Sequence, residues 1–193
     1  MALAFDANRH EYIDLTLGEI VPHITGMLEE TGWIDARWYT EDSSERGRAV
    51  HQLTADYDLG AIEDPRTVTS KYKGWLLAHV KVMAMIRPTW RHVEEPLVSR
   101  LHHYGGRPDR AGLVYAAESV LEVKSGAREK SHRIQTALQA ILVGEEIGIP
   151  PEFITRYGLY LSGHGKAQLE QFVERRDFDE AYRIIRTCCG VAA

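Results

Sequence analysis

Residues 106–124, GRPDRAGLVYAAESVLEVK, decide how this chain is read. Gly112–Ala116 and Ser119–Val123 are short runs rich in aliphatic residues, separated by a turn near Ala116–Glu118, so they predict a β-hairpin. Side chains two apart in a strand share a face, so Glu122 and Lys124 point one way and Val123 the other. The hairpin carries Asp109 toward the level of Glu122–Lys124. Two carboxylates converging there repel unless a cation sits between them. A hard divalent ion meets that need, and Mg²⁺ is typically held by one or two carboxylates together with water and substrate phosphate. Lys124 would then position a water or, with its pKa lowered by burial, deprotonate it. Taken alone, Glu122-Val123-Lys124 also reads as a surface ion pair.

Upstream of this stretch, Glu11–Leu15 predicts a short strand and His23–Glu30 a short helix stopped by Gly32. Glu41–Leu59 predicts a longer helix, with Arg46, Val50, Leu53 and Tyr57 at helical spacing and Gly60 as its cap. Pro65 is placed to open the next helix, whose buried face runs from Trp75 to Ile86 before Pro88 ends it. Val93–Leu101 predicts a strand, and Tyr104-Gly105-Gly106-Arg107-Pro108 a turn. Downstream come a helix over 128–146, with Ile134, Leu138, Ile141 and Leu142 inward, and a hairpin of 157–162 and 166–172. Asp177–Cys189 closes the chain as an amphipathic helix. The order predicts an α/β fold with a mixed central β-sheet flanked by helices, formed as one domain over residues 1–193.

Composition narrows the classes. The chain has 193 residues, 44% hydrophobic and 26% charged, which excludes a disordered or fibrous protein. No apolar run reaches the roughly 18 residues that span a bilayer, and the N-terminus does not read as a signal peptide. The two cysteines, Cys188 and Cys189, are adjacent, which suits neither a disulfide framework nor a metal cluster and points to a reducing cytoplasm. The net charge of −5 divides unevenly: −9 over residues 1–70, +6 over 71–133 and −2 over the rest. That excludes a protein that coats nucleic acid by charge alone, and leaves a basic middle suited to local phosphate contacts. No Gly-rich phosphate loop lies between a strand and a helix.

Four elements occur in order: Arg46-Gly47-Arg48-Ala49-Val50-His51, Gly106-Arg107-Pro108-Asp109, Glu122-Val123-Lys124 and His132-Arg133-Ile134-Gln135. In this the chain resembles the PD-(D/E)XK nuclease superfamily, specifically its RecB-like exonuclease branch. The resemblance covers about Thr40 to Val143 and implies a restriction-endonuclease-like core over about 40–172. It implies a DNA exonuclease using Mg²⁺ or Mn²⁺, with His51, Asp109 and Glu122 as metal ligands and Lys124, Asp109, Glu122 and Gln135 as catalytic residues. Gly47 and His51 are one helical turn apart, so the glycine leaves room for a close approach beside the imidazole. Gln135 and Gln139 are likewise a turn apart. The implied partner is DNA, single- or double-stranded, with a recombination or helicase protein and further copies of the chain as additional partners. Arg107, Arg110, Arg128, Lys130 and Arg133 are the expected phosphate contacts.

Glu95 is a candidate extra acidic ligand, and Tyr104 and Trp90 are candidates to stack on bases. The four-cysteine cluster of some relatives is missing. Three alternatives stay open: an inactive nuclease fold that binds DNA or protein, a structure-specific endonuclease or ribonuclease of the same fold, and a helical interaction domain. The last predicts an exposed Lys124 far from His51.

Overall fold

The computed structural model describes residues 3–6, 11–15, 18–35, 37 and 40–190. Three short antiparallel strands come first: β1 (Leu3–Asp6), β2 (Glu11–Asp14) and β3 (Glu19–Val21). Helix α1 (Ile24–Glu30) follows. Helix α2 (Glu41–Asp58) starts at a capping box in which Thr40 and Ser43 satisfy each other's backbone N–H groups. Helix α3 (Lys73–Ile86) ends where Arg87 turns left-handed just before Pro88. It begins later than Pro65, which lies in a turn.

The region read as one strand over 93–101 is two: β4 (Thr89–Val93) and β5 (Leu97–Ser99). Glu94, with φ +54°, and Pro96 break the chain between them. Tyr104–Gly106, expected as a turn, is a buried strand, β6, paired with β5. Its glycines serve contact rather than chain reversal. A Cβ at Gly105 would lie 2.3 Å from the Tyr12 ring, and one at Gly106 would lie 2.4 Å from Ile24. Tyr104 is fully buried and its hydroxyl donates to the Leu138 carbonyl (2.7 Å), so it does not stack on bases.

The hairpin is β7 (Arg110–Val114) and β8 (Ala117–Lys124), closed by Tyr115 and Ala116, both with positive φ. Two left-handed residues are what a two-residue hairpin turn requires to match the strand twist. Helix α4 (Ser131–Ile147) crosses from β8 to β9 (Thr155–Leu161), which lies parallel to β8. Strand β10 (Ala167–Phe172) returns antiparallel to β9, and α5 (Arg176–Cys189) ends the chain.

The main sheet has the order β10-β9-β8-β7-β4, one parallel pair among antiparallel ones. This is the expected mixed sheet flanked by helices. Strand alternation splits its core in two. Ala111 and Val120 face α1, α4 and α5, meeting Ile134, Leu138, Ala181 and Ile184. Val114, Leu121, Val123 and Leu159 face α2 and α3, meeting Val50, Ala78, Val82 and Ile86. Among the described residues, no helix is long and apolar enough to cross a membrane.

Candidate metal centre

The register of the hairpin sets Arg110 opposite Leu121, which leaves Asp109 beside Glu122 and Val123. Asp109 is 4% exposed, and its Oδ2 accepts from the Val123 backbone N–H (2.6 Å). That bond fixes the carboxylate and turns Oδ1 toward α2. There His51 places Nδ1 3.3 Å from Asp109 Oδ1 and 3.1 Å from Glu94 Oε1. Gly47, one turn earlier, would meet no atom within 4 Å if it carried a Cβ, so space beside His51 is open. Burial alone would lower the His51 pKa, but the adjoining Asp109 and then Glu94 outweigh it and push it up to about 10. Nδ1 thus lies between two carboxylates that favour the protonated ring, and a bound metal ion would take that proton's place.

Glu122 is 2% exposed and points, with Lys124, to the α4 side of the sheet. Lys124 Nζ donates to Glu122 Oε1 (2.8 Å) and to Gln135 Oε1 (3.0 Å). Gln135 Nε2 donates to the same Glu122 oxygen (2.6 Å), and Gln139 Nε2 to the other (2.6 Å). Two amides one turn apart on α4 therefore clamp the carboxylate and hold the ammonium against it. His51, Glu94, Asp109, Glu122, Gln135 and Gln139 line one cavity of about 190 Å³, with Tyr12, His23 and Arg107 at its wall.

One nitrogen and two carboxylate oxygens, from His51, Glu94 and Asp109, all lie within 4.8 Å of one another. That donor set suits a divalent cation such as Mn²⁺ or Mg²⁺. Two further observations fit. Three carboxylates share a cavity of that size, and the buried Gln139 Oε1 at its wall has no donor among the described residues. The sequence pointed to Glu95 as the extra acid, and the structure corrects this to Glu94. Glu95 is largely exposed and bonds His92 (2.5 Å).

Of the expected phosphate contacts, Arg110 is overturned. It is fully buried, bonding Asp58 (2.5 Å), the Asp109 carbonyl (2.6 Å) and Thr54 (3.1 Å). It therefore ties α2 to the hairpin and cannot reach a ligand in solvent. Arg107 is exposed at the cavity wall, 3.3 Å from Glu94. Arg128, Lys130 and Arg133 line a different depression, with Glu170 and Asp177. Arg128 pairs with Glu170 there, and Arg133 with Asp177 (3.1 Å). His132 bonds Tyr160 (3.1 Å). Lys124 is largely buried and lines one groove with His51, unlike the exposed and distant lysine that the interaction-domain alternative predicts.

No family model matches the chain, and no curated protein matches it. Among solved structures it is similar to a Eubacterium rectale protein provisionally named an exonuclease. Identity is 15% and TM-score 0.46, over 87% of this chain and 74% of that one. It is also similar to the protein SSO0001, at 12% identity and TM-score 0.39, over 86% and 82% of the two chains. Neither likeness speaks to chemistry.

Proposed function

We propose that this chain is a divalent-metal-dependent DNA nuclease of the PD-(D/E)XK type, similar to RecB-like exonucleases. The observation that carries the reading is convergence. An imidazole from α2, a carboxylate just before β7, a carboxylate from β8 and an amide from α4 meet at one cavity, and the Lys124 ammonium bonds two of its lining residues, Glu122 and Gln135.

His51, Glu94 and Asp109 would hold the ion, with Glu122 completing the set through a remaining lone pair. When bound, Mg²⁺ or Mn²⁺ polarises the scissile phosphate and acidifies a bound water. Val123 N–H and Arg110 fix Asp109, the first through its carboxylate and the second through its carbonyl. Lys124, held by two oxygen acceptors, acts as a donor. It orients the attacking water and offsets charge that builds on the phosphate oxygens. Gln135 sets the direction of Lys124, and Gln139 keeps Glu122 in place. Arg107, at the cavity wall, meets the phosphate backbone.

The test is degradation of single- and double-stranded DNA, each linear and circular, with Mg²⁺ or Mn²⁺. An exonuclease shortens the linear substrates and spares the circles. Cleavage of circles makes the protein an endonuclease, and cleavage of none with either ion overturns the reading.

A further inference from the structure

A second depression of about 400 Å³ adjoins the metal centre, sharing His51 with it. Its walls are the first half of α2 and the connection from β8 to α4, with Ser43, Ser44, Arg46 and Gly47 facing Lys124 and Ser125. Arg46 is the unusual member. Four described arginines are not surface-exposed: Arg46, Arg110, Arg133 and Arg156. The other three are ion-paired. Arg46 has no ion pair among the described residues, and its buried Nε has no hydrogen-bond partner.

A guanidinium N–H taken from water and left without an acceptor is costly, so its place calls for an anion with oxygens to fill it. The surroundings fit one. Gly47 leaves the wall open beside Arg46, and Lys124 is part of the far wall. Helix α4 starts next to the groove with no side-chain cap and no acidic residue in its first turn, so its positive end lies beside the groove. Glu129 is the one carboxylate in the wall, and it contacts Ser131 Oγ (3.5 Å).

We propose that this groove holds a second phosphate of the nucleic-acid strand, next to the one at the metal centre, with Arg46 as its forked donor. The inference rests on the nuclease reading and deepens it: Arg46 is a substrate-positioning residue that sets which way the strand leaves the cavity. A guanidinium fork matches two phosphate oxygens, and a lysine in its place keeps the charge but not the geometry.

The experiment measures binding of a fluorescent single-stranded 12-mer by anisotropy in EDTA, over a salt series, for the wild type, Arg46→Gln and Arg46→Lys. Arg46→Gln is expected to weaken binding about tenfold, the size of one lost charge-assisted bond to phosphate. It should also reduce the slope of log affinity against log salt by about 0.7, the value of one phosphate contact on a single strand. Arg46→Lys should keep the slope and recover part of the affinity. Because Arg46 has no ion pair or hydrogen bond among the described residues, Arg46→Gln should melt no lower than the wild type, a result a structural arginine would not give. Affinity and slope unchanged in Arg46→Gln overturn the subsite and leave the nuclease reading standing. Arg46-dependent binding without cleavage under any divalent ion upholds the subsite and removes the hydrolytic reading. A wild type that binds no nucleic acid overturns both.

Discussion

Arg110→Met separates two roles that one residue cannot play together. A phosphate-contacting arginine, as the sequence suggested, would lose affinity for DNA on substitution and keep its fold. The structure assigns the opposite. Arg110 is fully buried, and its guanidinium bonds Asp58, Thr54 and the Asp109 carbonyl. Methionine fills similar space but leaves Asp58 charged at 3% exposure, with His79 as its remaining partner (2.8 Å). Breaking a buried pair from one side costs about 3–5 kcal/mol. With a urea dependence of roughly 2 kcal/mol per molar, the unfolding midpoint should fall by about 1.5–2.5 M. Tryptophan fluorescence during urea unfolding reads this directly. The double variant Asp58→Leu with Arg110→Met removes both charges and should lose less than the two single variants together. An Arg110→Met protein with an unchanged urea midpoint and weakened DNA binding would refute the assignment.

Three other outcomes are expected. Lys124→Ala should fold normally and lose at least about 100-fold in DNA cleavage, the ordinary weight of a positioned donor or proton carrier; full activity in a gel assay removes Lys124 from the chemistry. Asp109→Asn should abolish a saturable Mn²⁺ site seen by titration calorimetry, together with the rise in melting temperature that Mn²⁺ gives the wild type; persistence of both places the ion elsewhere. His132 is pushed down to about 4 by burial and then by the nearby Lys124 ammonium. The folded chain therefore binds fewer protons than the unfolded chain between about pH 6.5 and pH 4, so stability falls as the solution is acidified. The share from this group is about 2 kcal/mol between pH 7 and pH 5. His132→Gln should flatten that part of the urea-midpoint profile, and an identical profile in the variant contradicts it.

Much of this arrangement could be read from residue order. The α4 stripe of Ile134, Leu138, Ile141 and Leu142 is buried as its spacing requires, and the hairpin brings Asp109 to Glu122 because antiparallel pairing leaves little choice. What escaped reading depended on distant partners. Glu94 and Glu95 differ by one position. The left-handed backbone at Glu94 ends the strand alternation, so sequence could not say which one turns inward. Gly105 and Gly106 look like a turn in any local window, and the rings and methyls that exclude a Cβ there come from the N-terminal segment, α1 and α4. Arg110 lies among basic residues and resembles them; Asp58, some fifty positions earlier, is what draws it inside. The signal that would have found it was an aspartate near the end of an otherwise well-packed helix.

The cavity takes its walls from three layers: α2 gives His51, the sheet gives Asp109 and Glu122, and α4 gives Gln135 and Gln139. No contiguous fragment short of about residues 51 to 139 carries all five. During synthesis, a polypeptide that has emerged only as far as the hairpin has its acids and its lysine but no amide clamp to hold them. On the nuclease reading proposed above, cleavage would therefore await the docking of α4, whose Gln135 and Gln139 hold Glu122.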